Sequence, residues 1–178
     1  MTSKLKTDVL ETGSGSGTIA LNNQLSGMTT ASLPTLTATQ MPAGSTLQIL
    51  DSSSTASQTT TSTAWVDTNL SVAITPSSTA SKVQIQFAFN SIYFGLSNSG
   101  CSFRILRDST SLHTTGAGHA LWTNVGSAYK QYSDIALDSP SSTSAVTYKV
   151  QIMTHSANAV VINNSGFKNT IIVTEIKG

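Results

Sequence analysis

The residues whose types best suit binding chemistry fall in one stretch, residues 113–132, which combines glycines with histidine, tryptophan, asparagine and tyrosine. An aromatic plane can stack on the C–H faces of a sugar ring while neighbouring amide and hydroxyl groups meet its hydroxyls. Because loops on a rigid scaffold commonly carry binding functions, the stretch predicts a saccharide-binding loop region. The candidate contact residues are His119, Trp122, Asn124, Tyr129 and Tyr132, with Trp122 as the first choice.

The same aromatic residues have a second interpretation, since large aromatic side chains commonly pack in a core or between subunits. For any single residue of the stretch, packing is the commoner role. Trp65 is predicted to be a core residue outright, because it begins an alternating pattern that Leu70, Val72 and Ile74 continue.

The sequence contains no recognisable catalytic motif. A nucleophilic hydrolase needs a serine or cysteine beside a histidine that an acid orients. The Gly-Ser segments 13–17 and 95–100 fit neither the nucleophile elbow nor the phosphate-binding loop. Cys101 lies near the start of a predicted strand, and we expect it to be a small buried residue and not a nucleophile. The acidic residues show no recognisable pair for glycoside hydrolysis. The sequence predicts a protein that is not an enzyme and has no cofactor.

Metal binding is an alternative that depends on His113, His119 and His155. They could hold a metal only by meeting in space or across a symmetry axis. Structural zinc sites usually draw on ligands that are close together in the sequence, and these three are not. Polar loop histidines without metal are therefore the favoured interpretation.

Composition excludes several classes of partner. Only 10% of the 178 residues are charged, against about 25% in typical soluble domains. The net charge is +1 with dispersed lysines and arginines, so no basic footprint for nucleic acid exists. A single cysteine excludes an internal disulfide framework, and no apolar run is long enough for membrane insertion. Few surface charges fit either a surface covered by other subunits or a free surface coated with Ser and Thr.

The elements that position these residues are predicted to be strands. Residues 82–94 alternate with a period of two, with Val83, Ile85, Phe87, Phe89 and Tyr93 assigned to the core face. No stretch has a convincing helical period. The pattern predicts an all-β fold, an antiparallel, jelly-roll-like β-sandwich over residues 46–178. Further strands are predicted at residues 46–50, 60–66, 70–74, 102–107, 128–137, 146–154, 159–162 and 170–176.

The N-terminal part differs from this head domain. Residues 1–30 form a Gly-Ser-broken arm, and residues 31–45 form an extended linker with two prolines. Chains below about 40 residues usually need disulfides, metals or partners to fold, and the arm has neither Cys nor His. The arm is therefore expected to be disordered unless other copies or another protein order it. Its candidate attachment residues are Leu5, Val9, Leu10, Ile19 and Leu21.

Several short motifs resemble those of tailed-bacteriophage fibre and other virion proteins, especially of marine phages. They are the Ser-Lys-Leu-Lys start at residues 3–6, the acidic pair Asp8 and Glu11, the Gly-Ser break and Thr-Ile-Ala-Leu-Asn strand of residues 13–22, and the 31–45 connector, together with residues 70–78, 81–83, 103–108 and 175–176.

The resemblance implies a non-enzymatic virion protein, and the single cysteine fits its assembly in the reducing cytoplasm of a host. Such proteins are generally homotrimers, with β-sandwich heads around a three-fold axis. It further implies a tail fibre whose arm attaches to other virion proteins and whose outward head recognises the host surface, with a surface glycan as the candidate ligand. A capsid decoration or head-fibre protein and a carbohydrate-binding module remain as alternatives.

Overall fold

The computed structural model describes residues 37–115 and 120–178, and Thr37–Gly178 form one compact unit. The five candidate attachment residues of the arm, the linker up to residue 36 and His119 lie outside the described residues. Eleven strands and no helix occur in the described ranges. The strands are β1 (Thr46–Ser54), β2 (Gln58–Thr60), β3 (Val66–Ile74), β4 (Lys82–Phe94), β5 (Ser99–Arg107), β6 (Thr110–Thr114), β7 (Leu121–Thr123), β8 (Ala128–Asp138), β9 (Val146–Thr154), β10 (Val160–Ile162) and β11 (Asn169–Ile176).

The first sheet is built around β4. Strand β8 pairs along one side of β4, and β11 pairs with the first half of its other side. The short strand β10 pairs with the last three residues of β4. Strand β1 lies outside β11, and β2 lies outside β10. The order across this sheet is therefore β1-β11-β4-β8, with β2 and β10 extending one end.

The second sheet has the order β3-β9-β5-β6, and β7 pairs with the start of β5 on the same side as β6. Without the short strands β2, β7 and β10, every connection crosses between the sheets except the β5–β6 hairpin. This is the double Greek-key arrangement of a jelly roll. The predicted antiparallel β-sandwich is confirmed.

The core lies between the sheets and contains a cluster of aromatic rings. The rings of Phe89 and Phe103 stack at 5.0 Å, and Phe87 lies 5.5 Å from Phe89. Both β4 residues are fully buried, as the alternation predicted. Burial of large apolar side chains from both sheets is the main source of stability for such a sandwich.

A β-bulge interrupts β4 between Phe89 and Ile92. The extra residue shifts the alternation by one position, so Ile92 and Phe94 enter the core. The prediction that Tyr93 faces the core is therefore wrong, and its ring lies beside that of Tyr129 on the outer face of the first sheet.

Other departures from the predicted elements are local. The predicted strand at residues 60–66 is mostly a loop between β2 and β3. Strands β6 and β7 were not predicted. The prediction of a core Trp65 is also wrong: the side chain is only half-buried, and the Arg104 guanidinium lies 4.7 Å from the centre of its ring. A cation–π contact therefore holds this indole.

The two ends of the sandwich carry different segments. The base end carries residues 37–45, 75–81, 108–109, 139–145 and the C-terminus, and the loop end carries residues 55–65, 95–98, 120–127 and 155–168. At the base end the linker is fixed to the C-terminal residues. Lys177 accepts at its carbonyl from the Gly44 N–H at 2.8 Å, and its Nζ donates to the Thr39 carbonyl at 2.9 Å. No helix in the described ranges is long and apolar enough to cross a bilayer.

Candidate functional site

Trp122 lies at the loop end, on β7, directly opposite Gly100 of β5. Its side chain is 38% exposed, and its Nε1 donates to Asn124 Oδ1 at 2.7 Å. A Cβ at position 100 would collide with the indole ring, so the glycine allows the ring to lie against the β5 backbone. Trp122 and Asn124 therefore form one half-exposed unit with a fixed ring orientation.

Tyr129 stands on the outer face of the first sheet, where it is 57% exposed. Its ring lies 4.9 Å from that of Tyr93, the residue directly opposite on β4. Its hydroxyl accepts a hydrogen bond from Asn164 Nδ2 at 3.1 Å. These contacts fix an exposed aromatic ring in one place.

Tyr132 belongs to the core cluster. Its ring stacks on that of Phe103 at 5.0 Å, and its hydroxyl donates to Asp134 Oδ2 at 3.1 Å. Burial and the neighbouring Asp134 carboxylate raise the pKa of Tyr132 to about 12. The described members of the predicted set thus do not form one surface, because Trp122 lies on the second sheet, Tyr129 on the outside of the first and Tyr132 inside.

Tyr129 lines a cavity of about 660 Å³ at the loop end of the first sheet. The bulge in β4 and the β10–β11 loop form its other walls, and the loop contributes Phe167, which is 56% exposed. The volume falls within the range of small-molecule binding sites. The lining residues are Asn90, Ser91, Tyr129, Lys130, Gln131, Ser165 and Phe167.

Buried polar atoms without partners lie at this cavity, in Ser91, and next to it, in Asn163. The Oγ of Ser91, a buried lining residue, has no hydrogen-bond partner among the described residues. Beside it, the Asn163 N–H donates to the Ser91 carbonyl at 2.6 Å, and both amide atoms of the buried Asn163 side chain also lack partners there. Such unsatisfied buried groups are few in native structures and call for an explanation.

Sequence reasoning identified Tyr129 as a contact residue and the stretch that also contains Lys130 and Gln131, but it missed the parts of this cavity that come from β4 and the β10–β11 loop. Phe167 lies in a loop far along the chain, and nothing in its neighbourhood marks it. A signal for the bulge was present, because the buried residues Phe87, Phe89, Ile92 and Phe94 change spacing at the Asn-Ser pair.

A serine–histidine pair occurs elsewhere at the loop end. Ser102 Oγ lies 2.8 Å from His155 Nε2 and also accepts from the Ala120 N–H at 3.4 Å. Ser102 is buried, so a substrate carbonyl has no open path to its oxygen. The neighbouring Cys101 is buried as well, and burial raises the pKa of its thiol to about 12. Neither group has the exposure that nucleophilic catalysis requires.

Two carboxylates of β8 join the sheets along the open side of the sandwich. Asp134 Oδ2 lies 3.0 Å from His113 Nε2 of β6. Asp138 Oδ2 accepts from Arg107 at 2.7 Å and from the Tyr148 hydroxyl at 2.8 Å. In the part of the chain that the structure describes, no three metal-ligating side chains come together. These carboxylates serve cross-sheet bonding.

The outer faces of the two sheets differ in charge. On the second sheet, Asp67 accepts from Lys149 at 2.9 Å, and Arg104 covers Trp65. The first sheet instead carries exposed aliphatic side chains in two adjacent cross-strand rows, where they alternate with Thr174, Gln84, Asp51 and Gln86. This aliphatic patch consists of Ile49, Ile135, Leu137 and Ile172.

The fold and the cavity together define a jelly-roll β-sandwich with a concave, partly aromatic surface at one end. No protein-family model and no curated protein match the chain. Among solved structures, it is similar to a chain of infectious bursal disease virus, Gt strain, with a TM-score of 0.44 and 12% identity over 75% of this chain and 38% of that one.

Two further structures of that virus show similar values. The Gx strain gives a TM-score of 0.39 and 11% identity over 74% of this chain and 37% of that one. The VP2 subviral particle gives a TM-score of 0.39 and 9% identity over 75% of this chain and 38% of that one. The chain thus spans less than two fifths of the length of these structures.

Proposed function

We propose that the chain is a non-enzymatic structural protein of a virus particle, a tail fibre or fibre-like component. The N-terminal arm attaches it to other virion proteins, and the jelly-roll head faces outward to recognise the host surface. The observation that carries this proposal is the opposite placement of the linker and the exposed aromatic side chains. The short motifs that resemble phage virion proteins support it.

That placement follows from the jelly-roll connections. The described chain begins at Thr37 and runs along the base end, where Lys177 bonds to Thr39 and Met41. The exposed rings of Trp122, Tyr129 and Phe167 belong to the loop end. A head held through its linker would therefore present these rings away from the attachment point, as a receptor-binding protein requires.

The proposed assembly state is a homotrimer. The aliphatic patch supports it, because exposed apolar groups on a nearly uncharged sheet face mark protein–protein contact surfaces. The opposite sheet face, with Asp67, Arg104 and Lys149, resembles a solvated surface. We assign the patch to contacts between copies of the head.

A capsid decoration or head-fibre protein is the second candidate. The same head would serve there, and only its position on the particle differs. A free carbohydrate-binding module is the third, which the cavity beside Tyr129 favours. Neither the decoration protein nor the binding module is an enzyme. Of these two, only the decoration protein would belong to the virus particle.

The deciding experiment is to label purified particles of the virus that encodes the chain with gold-conjugated antibodies against the head. Labels confined to the tail would support a fibre. Labels over the capsid lattice would show that the chain is a decoration protein and not a fibre. If particles remain unlabelled and mass spectrometry detects no copy of the chain in them, the virion role is contradicted.

A further inference from the structure

We infer that the cavity beside Tyr129 binds a saccharide, with Tyr129 and Phe167 as stacking surfaces. Its use as a host receptor site rests on the proposed virion function, whereas binding itself does not. The site differs from the one that the sequence suggested around Trp122, because most of its wall comes from β4 and the β10–β11 loop.

The two rings are suited to stacking because both are exposed and the Tyr129 ring is also held in place. Tyr129 is fixed by the Tyr93 ring on one side and by Asn164 at its hydroxyl. Phe167 stands more than half exposed on the same cavity. Exposed aromatic rings that flank a concave surface offer apolar area to a ligand, and prior fixation reduces the entropy that binding costs.

The polar groups of the cavity suit hydroxyls. Asn90, Gln131 and Ser165 line it with amide and hydroxyl groups, and Asn90 is held in place by a bond from its Nδ2 to the Lys168 carbonyl at 2.6 Å. Ser91 lines the same cavity, but its Oγ is buried and has no described partner, so it is not among the groups that a ligand in the cavity would contact directly.

The charges of the described lining residues argue against cationic ligands. Lys130 is the one charged side chain among the described lining residues, and no carboxylate is present. A cationic ligand or a metal ion would therefore find no counter-charge. A neutral saccharide, or one with an acidic substituent near Lys130, fits the set.

The cavity continues along the sheet, which favours an oligosaccharide over a single sugar. A second cavity of about 200 Å³ shares Asn90 and Gln131 with the first and reaches Ala88 and Ser133. Tyr129 and Ser133 are four residues apart on β8, about 13 Å along the strand. This exceeds the length of one sugar ring.

The cavity is also separate from the aliphatic patch. The last row of the patch crosses β4 at Gln86, and the first cavity begins at Asn90, about 13 Å further along the strand, whereas the second cavity reaches Ala88, about 7 Å from that row. Contacts between copies through the patch therefore leave the first cavity open.

The test is a microarray of bacterial and animal cell-surface glycans, probed with the full chain, followed by titration of the best-bound oligosaccharide. We expect binding to at least one saccharide, and Phe167→Ala should weaken it by about tenfold, because truncation of an anchoring aromatic side chain commonly costs that much. Leu96→Ala is the matched control, since Leu96 is an equally exposed apolar residue at the same end outside the lining. It should leave affinity unchanged.

Several outcomes would overturn the inference. They are absence of binding across the array, full affinity in Phe167→Ala, or an equal loss in Leu96→Ala. A change in oligomer mass on Phe167→Ala with no bound glycan would make the cavity a contact between copies instead. If the chain binds a glycan but is absent from virus particles, the virion role is contradicted and the saccharide site is supported. If the chain is present in particles but binds no glycan, the virion role is supported and the saccharide site is contradicted.

Discussion

The rings of Tyr93 and Tyr129 lie 4.9 Å apart at an angle of 43° on the outer face of the first sheet. They are direct cross-strand partners on β4 and β8. Cross-strand aromatic pairs stabilise sheets modestly, and most of the Tyr129 ring remains in solvent. The pair therefore serves to hold the Tyr129 ring in position more than to stabilise the fold.

The first prediction separates these two roles. Tyr93→Ala should lower the free energy of unfolding by about 0.5–1.5 kcal/mol for the lost aromatic pair, plus the lost burial of the half-buried Tyr93 ring. Glycan affinity should fall with it, because Tyr129 loses its neighbour. Urea denaturation and glycan titration of the same protein measure both. Tyr93→Phe, which keeps the ring, should change neither, and a loss of affinity in that control would contradict the positioning role.

A second prediction concerns the register of β4. Phe87 is buried among Phe89, Phe103 and Tyr132, so Phe87→Ala should lower the free energy of unfolding by about 3–5 kcal/mol. Gln86, its neighbour on the exposed face, provides the control, and Gln86→Ala should stay within about 0.5 kcal/mol. Chemical denaturation of the two variants makes the comparison. Equal effects would contradict the assigned faces.

The strand pattern was predictable from sequence where alternation alone decides it. Strands β4, β8, β9 and β11 alternate over long stretches, and their predicted bounds lie within one residue of those observed. Strands β6 and β7 are short and polar, and they form because β5 offers a free edge, which no local pattern reveals. Tertiary pairing overrides weak local propensity in such segments.

The candidate site was harder to predict from the sequence for a related reason. The cavity depends on a one-residue shift within β4, and a tyrosine at position 93 suits either phase of the alternation. Its second ring comes from Phe167, which lines the same cavity as Tyr129 because β10 and β8 flank β4 at the same level. Pairings of that kind are set by the whole topology and leave no trace in a single stretch.

The third prediction concerns pH. Glu175 is buried, and its carboxylate accepts from Ser81 Oγ at 2.6 Å, Ser77 N–H and Oγ at 2.7 Å and Gln48 Nε2 at 2.6 Å. Burial raises its pKa, but these hydrogen bonds outweigh burial and hold the pKa below the usual value of 4.5. A pKa that is lower in the folded state contributes stability above the unfolded value, and this is lost as pH falls through the folded value.

Glu175→Gln should therefore destabilise the head at pH 7, and this deficit should shrink as the pH falls below 4.5 and through the lower pKa of the folded state. Thermal unfolding across pH 3–7 measures the difference. Asp67→Asn is the comparison, because the pKa of Asp67 is also lowered, by its bonds to Lys149 and Gln151, but on an exposed face. A pH-independent deficit in Glu175→Gln would contradict the role of the buried charge.

The fourth prediction tests the aliphatic patch. The full chain should have the mass of a trimer in solution. Leu137→Lys should shift it toward monomer, because the lysine charge would be buried between copies without a partner. Val125→Lys is the control, since Val125 is an equally exposed apolar residue at the loop end. Light scattering at micromolar concentration reports the mass. A monomeric wild type would contradict the trimer, and a trimer in Leu137→Lys would place the contact elsewhere.

The last prediction uses the contact between Gly100 and Trp122. In Gly100→Ala the new methyl group would meet the indole ring and lie 2.9 Å from the Leu121 carbonyl oxygen, so β7 must move away from β5. We expect a lower melting temperature and a shift in tryptophan fluorescence. Gly95→Ala is the matched control, because the nearest atom to its Cβ is 3.5 Å away on the Tyr93 ring, an ordinary contact. Trp122→Ala relieves the collision, so adding it to Gly100→Ala should recover part of the lost stability. A neutral Gly100→Ala would contradict the packing of the indole against the β5 backbone.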